Sequence, residues 1–230
     1  MKSNRLVVSI FILVLIFVAC RKEWIPTEAD MANYAWTLYE QGDYIESMKW
    51  FKSAIREDKD YKDGYNGLGY CYGKYTKLSL EDDYREEVWL DSSIHFFDIA
   101  LIKPHNPRML HNVDHDILAG LTFAHSALKH DSSVVFFGDS LISLLDREVG
   151  EKKWAFPHDT TTNYLDVHII IAMSYFGLGN FDKSLEHVQA ARAVVTLPNN
   201  APPHVVNTAI ITSYDQLADA IQYLQELLGP

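Results

Sequence analysis

Two distant stretches of this chain align without a gap. One is Met31-x2-Tyr34-Ala35-x2-Leu38-x3-Gly42-Asp43-Tyr44-x2-Ser47-x3-Phe51-x2-Ala54-Ile55. The other is His168-x2-Ile171-Ala172-x2-Tyr175-x3-Gly179-Asn180-Phe181-x2-Ser184-x3-Val188-x2-Ala191. Self-similarity of this kind constrains the fold strongly, because a unit that cannot bury its apolar face alone must stack on its copies. Apolar residues recur at helical intervals on both sides of a short break. At the break Gly supplies the left-handed conformation that ends one helix. Asp or Asn then caps the next, and the following aromatic falls back between the two helices.

Two further units fall in phase. Tyr65-x2-Leu68-Gly69-x2-Tyr72 opens one, and Ser93-x3-Phe97-x2-Ala100-Leu101 closes it before Pro104. Between them Ser79 and Asp82 read as an N-cap, while Tyr84, Val88 and Leu90 continue an apolar face toward Ile94, predicting an elongated second helix. In the next unit, a helix around Ile117–Ala124 precedes one from about Ser132 to Arg147. Its register stays open: one choice places Asp116 in a core slot, the other places Leu121 where a small residue belongs. Glu148–Asn163 is a long loop with Trp154 and Pro157, of a length that is often functional. Pro198-Asn-Asn-Ala-Pro202-Pro203 is a clear break. The last segment, 205–228, carries Ile210, Leu217, Ile221, Leu224 and Leu228 on one face, as expected of a helix that covers the open end of a stack.

The Gly-Asp/Asn-aromatic hairpins resemble the tetratricopeptide repeat (TPR), a 34-residue helical hairpin. The resemblance covers roughly 31–195 and implies an all-α, right-handed TPR-like solenoid in one domain, 31–230. It predicts four hairpins (31–61, 62–104, 113–147, 164–197) and a capping helix at 205–228. Ser47 and Ser184 stand where the family usually has Ala in the second helix. In the third repeat Gly138, Ile142 and Leu145 would take the core slots 20, 24 and 27. The resemblance also implies a concave groove lined by slots 2, 5, 9, 12 and 13 of the first helices. Those slots give Trp36, Tyr39 and Glu40; Asp63, Asn66 and Tyr70; Asp114, Ile117 and Leu121; and Asp166, Met173 and Phe176. The groove would be aromatic, apolar and acidic. It lacks the Lys/Arg-Asn set with which chaperone-type members clamp a peptide carboxylate.

The first residues read as an address. Lys2 and Arg5 precede an apolar run, Leu6 to Val18, broken only by Ser9. That run is shorter than the roughly 20 residues a helix needs to cross hydrocarbon, and it fits a secretory signal over 1–19. Val18-Ala19-Cys20 followed by Arg21 resembles the lipobox of bacterial lipoproteins, with Phe17 where Leu is usual. The resemblance implies cleavage before Cys20, acylation of its thiol and a tether over 20–30. In that family Asp at this place usually signals inner-membrane retention, so with Arg21 there the resemblance implies the outer membrane, facing the periplasm. Each buried methylene of an acyl chain adds about 0.8 kcal/mol of membrane affinity.

Charge and composition remove other classes. A net charge of −11 argues against nucleic acid, whose binding needs clustered Lys/Arg. Two cysteines make no cystine scaffold. Phe137-Gly138-Asp139-Ser140-Leu141 resembles the first block of GDSL esterases, with Ser140 as nucleophile, but the oxyanion-hole and Asp-x-x-His blocks of that family are missing. His105, His111, His115, His125 and His130 crowd one region. His111 and His115 share a helix face, yet no His-Glu-x-x-His pattern or cysteine supports a metal. Gly64, Gly67 and Gly69 fall within a helical pattern, not in a phosphate loop. Cys71 sits in an apolar-aromatic context and reads as a small core residue. No cofactor is called for. The expectation is a non-enzymatic, membrane-anchored protein-interaction scaffold or assembly subunit of a bacterial envelope complex. The alternative is a small-ligand carrier, which a closed apolar pocket under the 148–163 loop would favour; a hydrolase using Ser140 ranks below both.

Overall fold

A computed structural model describes residues 25–76, 83–105, 112–147 and 153–229. Cys20 and the leader lie outside them, as do Ser79 and His111. The described helices are α1 (Glu28–Glu40), α2 (Tyr44–Glu57), α3 (Lys62–Thr76), α4 (Asp83–Ile102), α5 (Val113–Ala127), α6 (Asp131–Arg147), α7 (Tyr164–Gly177), α8 (Phe181–Arg192), α9 (Pro203–Val206) and α10 (Tyr214–Leu228), with a 3-10 turn at Thr208–Ile210. They pack as successive antiparallel hairpins, α1 on α2, α3 on α4, α5 on α6 and α7 on α8, each stacked on the next. No described helix is long and apolar enough to cross a membrane.

The turns between paired helices explain the repeat. Gly42 and Gly179 adopt positive φ, +82° and +74°. The amide after each donates to a carbonyl five residues back, Asp43 to Leu38 and Asn180 to Tyr175. Asp43 and Asn180 then cap α2 and α8 through their side chains. The recurrent serine has a cause as well. Ser47 Oγ donates to the Ala35 carbonyl at 2.8 Å, Ser93 Oγ to Gly69 at 2.7 Å and Ser184 Oγ to Ala172 at 2.7 Å. Each bond ties the second helix of a hairpin to the backbone of the first where the two cross closely.

The third hairpin makes the same turn without glycine. Lys129 holds φ +57°, and His130 N donates to the His125 carbonyl, as Asp43 does to Leu38. This equivalence sets the register. Thr122 takes the small slot 8, Val134 slot 20, Gly138 slot 24 and Leu141 slot 27, so the sequence-based placement of Gly138, Ile142 and Leu145 was four residues out. Gly138 occupies a slot held elsewhere by Phe51, Phe97 and Val188 because the Ile171 side chain fills its place: a Cβ there would lie 2.5 Å from Ile171. A left-handed non-glycine residue carries strain on the order of 1 kcal/mol. Lys129→Gly should therefore raise stability by about 0.5–1 kcal/mol, net of the added chain entropy, read as a higher urea midpoint with an unchanged slope.

The second hairpin carries the elongated helix. The first turns of α4 bring Trp89 over Tyr72 at 5.5 Å and edge-on to Tyr75 at 5.0 Å. At the C-terminal end the 205–228 segment is not one helix. Asn207 caps the 3-10 turn and Ser213 caps α10, so side-chain bonds interrupt the helix between them. Ile210 is left exposed, while Leu217, Ala220, Ile221 and Leu224 cover Ile169, Ala172, Val188 and Ala191. The Arg192 guanidinium holds the returning chain by the Val195, Val205 and Val206 carbonyls.

Candidate functional site

The concave face is built by one residue per repeat at slot 9: Trp36 of α1, Tyr70 of α3, Phe123 of α5 and Met173 of α7. With the register set by Lys129, the third repeat's concave residues are Asp116, Ala119, Phe123, Ser126 and Ala127. Leu121 belongs to the interior instead and is fully buried.

This face is not an open groove. Residues 153–163 form a hairpin seated in it. Ala155 bridges to Asn163, Phe156 N donates to the Thr162 carbonyl and Tyr164 N to the Trp154 carbonyl, both at 2.9 Å. Along its entering arm the side chains alternate, as extended chain dictates. Trp154, Phe156 and His158 point down, and Ala155 and Pro157 stay exposed. The three rings pair with three successive slot-9 rings. His158 stacks on Trp36 at 3.9 Å and 4°. Phe156 stacks on Tyr70 at 4.1 Å and 19°. Trp154 lies tilted beside Phe123 at 6.5 Å.

Polar groups fix the register of this plug. Trp36 Nε1 donates to Asp63 Oδ2 at 2.9 Å and Trp154 Nε1 to Asp116 Oδ1 at 2.8 Å. Tyr70 OH donates to the Asp116 carbonyl at 2.8 Å. His158 Nδ1 meets Glu40 at 2.9 Å, and Lys74 pairs with Asp159 at 3.2 Å. Burial pushes the Asp63 carboxyl up, against the hydrogen bonds from Trp36 and Asn66. Burial also works to raise Asp159, but hydrogen bonds from Thr161 and Lys74 outweigh it and leave that group below its ordinary value. Aspartates in the first turns of α3, α5 and α7 thus serve as acceptors: Asp63 and Asp116 for an indole, and Asp166 for the Asn163 amide at 2.7 Å in a capping box.

The nominated groove residues therefore divide. Trp36, Tyr39, Asn66 and Tyr70 are buried, together with Asp63, in the packing of α1, α3 and the plug. Glu40 lies at the rim with His158. Phe176 is half-buried against Tyr214 of α10 at 5.5 Å. Met173 alone of the slot-9 row is exposed, at 38%. Trp154, Phe156 and His158 were missed as partners of the row, although their two-residue spacing was visible in the sequence.

Beside the plug, between α3 and α5, lies a cavity of about 520 Å³. Phe97 of α4 reaches between the two helices. A Cβ at Gly69 would lie 2.6 Å from its ring and one at Gly120 2.3 Å. Gly73, one turn on, adds no side chain to fill the space above. Tyr70, Phe123 and Phe156 form the walls.

The reactive candidates are accounted for structurally. Ser140 lies within α6, and its Oγ donates to the Phe136 carbonyl at 2.6 Å. Neighbouring Asp139 accepts from Tyr175 OH and meets His187 Nε2 at 3.2 Å. His187 in turn contacts His168, Nδ1 to Nδ1 at 2.9 Å, so neither imidazole serves Ser140. Cys71 is fully buried beside Ser47 Oγ, and burial pushes its thiol up to about 12. No group of three His, Cys, Asp or Glu side chains among the described residues is placed to hold a metal.

A solved structure of a thermophilic TPR protein from Thermus thermophilus superposes with a TM-score of 0.54 at 16% sequence identity, covering 96% of this chain and 100% of that one. The fold is a TPR-like solenoid. At this identity the likeness extends to the fold alone. No protein-family model matches the chain, and no curated protein does. In this TPR-like solenoid the fourth slot-9 side chain is left open, where the first three pack against a hairpin of the same chain.

Proposed function

We propose that this chain is a non-enzymatic, lipid-anchored interaction subunit of a bacterial envelope complex, held at the outer membrane by acylated Cys20 and facing the periplasm. The signal-like leader and the Ala19-Cys20 junction support the anchor. Solenoids of stacked helical hairpins present extended concave binding surfaces, which supports a protein partner. One observation carries the choice of surface: Met173 continues a row whose other three members are covered by rings of the plug. It lies one helical turn from Phe176 and the Tyr214 ring, and methionine adapts well to a partner's shape. The acidic surface favours a neutral or basic partner.

The test is purification from the native membrane in mild detergent, with companions identified by mass spectrometry. Wild-type protein is expected to bring a stoichiometric companion. Met173→Glu should lose it with an unchanged melting temperature, since the side chain is exposed and substitutions there stay within about 0.5 kcal/mol. Cys20→Ala should abolish palmitate labelling and release the chain from the membrane. A companion retained by Met173→Glu would overturn the surface, and a protein that purifies alone would overturn the scaffold. A small-ligand carrier is the second reading, favoured by the cavity beside the plug.

A further inference from the structure

The second helices of the hairpins line the face opposite the plug. There α2 packs on α3 and α3 on α4, and a furrow of about 470 Å³ runs between α2 and α4 with α3 at its floor. Ile55, Tyr65, Leu68 and Phe96 line it with apolar surface. Leu68 is buried, but Ile55, Tyr65 and Phe96 are only half-buried, so hydrophobic area stays open to solvent along the furrow. Apolar surface gathered in a groove, unlike apolar residues scattered singly, marks an interaction site.

The rim is cationic, in a chain that carries −11 overall. Lys49, Lys52 and Arg56 stand at i, i+3 and i+7 on α2 and so share one face. All three are exposed along the furrow. Lys49 is paired with Glu46 at 2.6 Å. Lys52 and Arg56 meet neutral groups instead. Lys52 Nζ donates to Tyr72 OH at 3.3 Å and lies over that ring at 5.6 Å, and Arg56 donates to Ser53 Oγ at 2.7 Å. Neither has a carboxylate partner among the described residues. On the α4 side, Ser92, Ile99 and Lys103 continue the face of Phe96. Lys103 lies over the Tyr65 ring at 5.3 Å and pairs with Asp60 at 3.0 Å. With Glu46 and Asp60 set against the four cations, the furrow keeps a surplus of two positive charges.

The dimensions favour a peptide. From Lys49 to Arg56 the helix rises about 10 Å, the span of about three residues of extended chain. Lys52 and Arg56 lie about 6 Å apart along the axis, close to the roughly 7 Å between every second residue of a strand. Alternate side chains of such a chain point to opposite sides. An acidic-apolar-acidic run can therefore sink its middle side chain into the furrow and present both carboxylates to the rim. An anionic bilayer is too broad to reach the floor, and the acidic remainder of the chain is repelled by it.

We propose that the furrow between α2 and α4 binds an extended acidic segment of a partner protein. Its apolar side chain lies between Tyr65 and Phe96, and the carboxylates on either side pair with Lys52 and Arg56. This surface is separate from Met173, takes a partner of the opposite charge, and rests on neither that docking face nor the lipid anchor.

Isothermal titration calorimetry of the full chain in non-ionic detergent with the end-capped peptide Gly-Glu-Leu-Glu-Gly tests this. Saturable one-to-one binding is expected, weakening as salt is raised. Gln in place of both Glu residues of the peptide should weaken binding about tenfold, and Ser in place of its Leu by a similar factor of about ten. Lys52→Glu combined with Arg56→Glu, both at exposed positions, should abolish binding of the acidic peptide at an unchanged melting temperature. The same double variant should gain binding of Gly-Lys-Leu-Lys-Gly, which the wild type does not take. No saturable binding of the acidic peptide would overturn the site. Equal affinity for the glutamine peptide would overturn the charge match, and binding retained by the double variant would overturn the furrow as its location. Water-soluble dihexanoylphosphatidylglycerol replaces the peptide in a last titration. If it binds through Lys52 and Arg56 and the peptide does not, the furrow is a lipid site and the peptide proposal falls.

Discussion

Phe156→Ala should destabilise the protein by about 3–5 kcal/mol, the cost of removing a fully enclosed aromatic side chain. The ring is 1% exposed and stacks on Tyr70. It also meets Trp36 edge-on at 5.8 Å and Tyr39 at 6.1 Å. Its loss empties the centre of the plug, and the two tryptophans whose indole nitrogens bind Asp63 and Asp116 lose their shared neighbour. Urea unfolding followed by tryptophan fluorescence reads both the stability and the local environment. Pro157→Ala, one residue away and exposed, is the control and should stay within about 0.5 kcal/mol of wild type. A cost below about 1 kcal/mol for Phe156→Ala would mean that the hairpin rests loosely on the concave face. In that event Trp36 and Tyr70 would become available to a partner, as the slot pattern alone suggests.

The outcome matters because the plug is the part of the molecule least visible in the sequence. Hairpins one and four were legible because turn chemistry and helical periodicity agree there, at Gly42-Asp43-Tyr44 and Gly179-Asn180-Phe181. In hairpin three Lys129 and His130 make the same turn with different residues, so the local signal vanished and the register slipped, by four residues in the second helix and by two in the first. The slip in the first helix placed Leu121 on the concave face and hid Phe123. The slot-9 residues of the other repeats were found, but what covers them was not. The bonds from His158 to Glu40 and from Trp154 to Asp116 join distant parts of the chain. No repeat period encodes them. The 148–163 loop stood out by length alone, and its Trp-x-Phe-x-His alternation acquires meaning only when a row of rings lies opposite.

A pH dependence of stability resides away from the plug. His168 is buried in α7, and burial, followed by the neighbouring His187, lowers its pKa to about 4. With His168 donating from Nδ1 to His187 Nδ1, His187 Nε2 is left to donate to Asp139. Unfolding releases His168 to its ordinary value near 6.5. Between those two values the unfolded chain binds more protons than the folded one, so stability falls as the pH falls. The full loss from this residue is about 3 kcal/mol by pH 4. Asp63 works in the opposite direction, because its raised folded value favours the folded state once the pH drops below that value. His168→Asn retains a donor near the Nδ1 position and removes the titration. Its urea midpoint should not decline between pH 6.5 and 4.5, where that of the wild type does. An Asn variant with the wild-type slope would assign the acid sensitivity to other groups. A variant that does not decline would place the acid sensitivity of the wild type at His168, in the contact between α7 and α8.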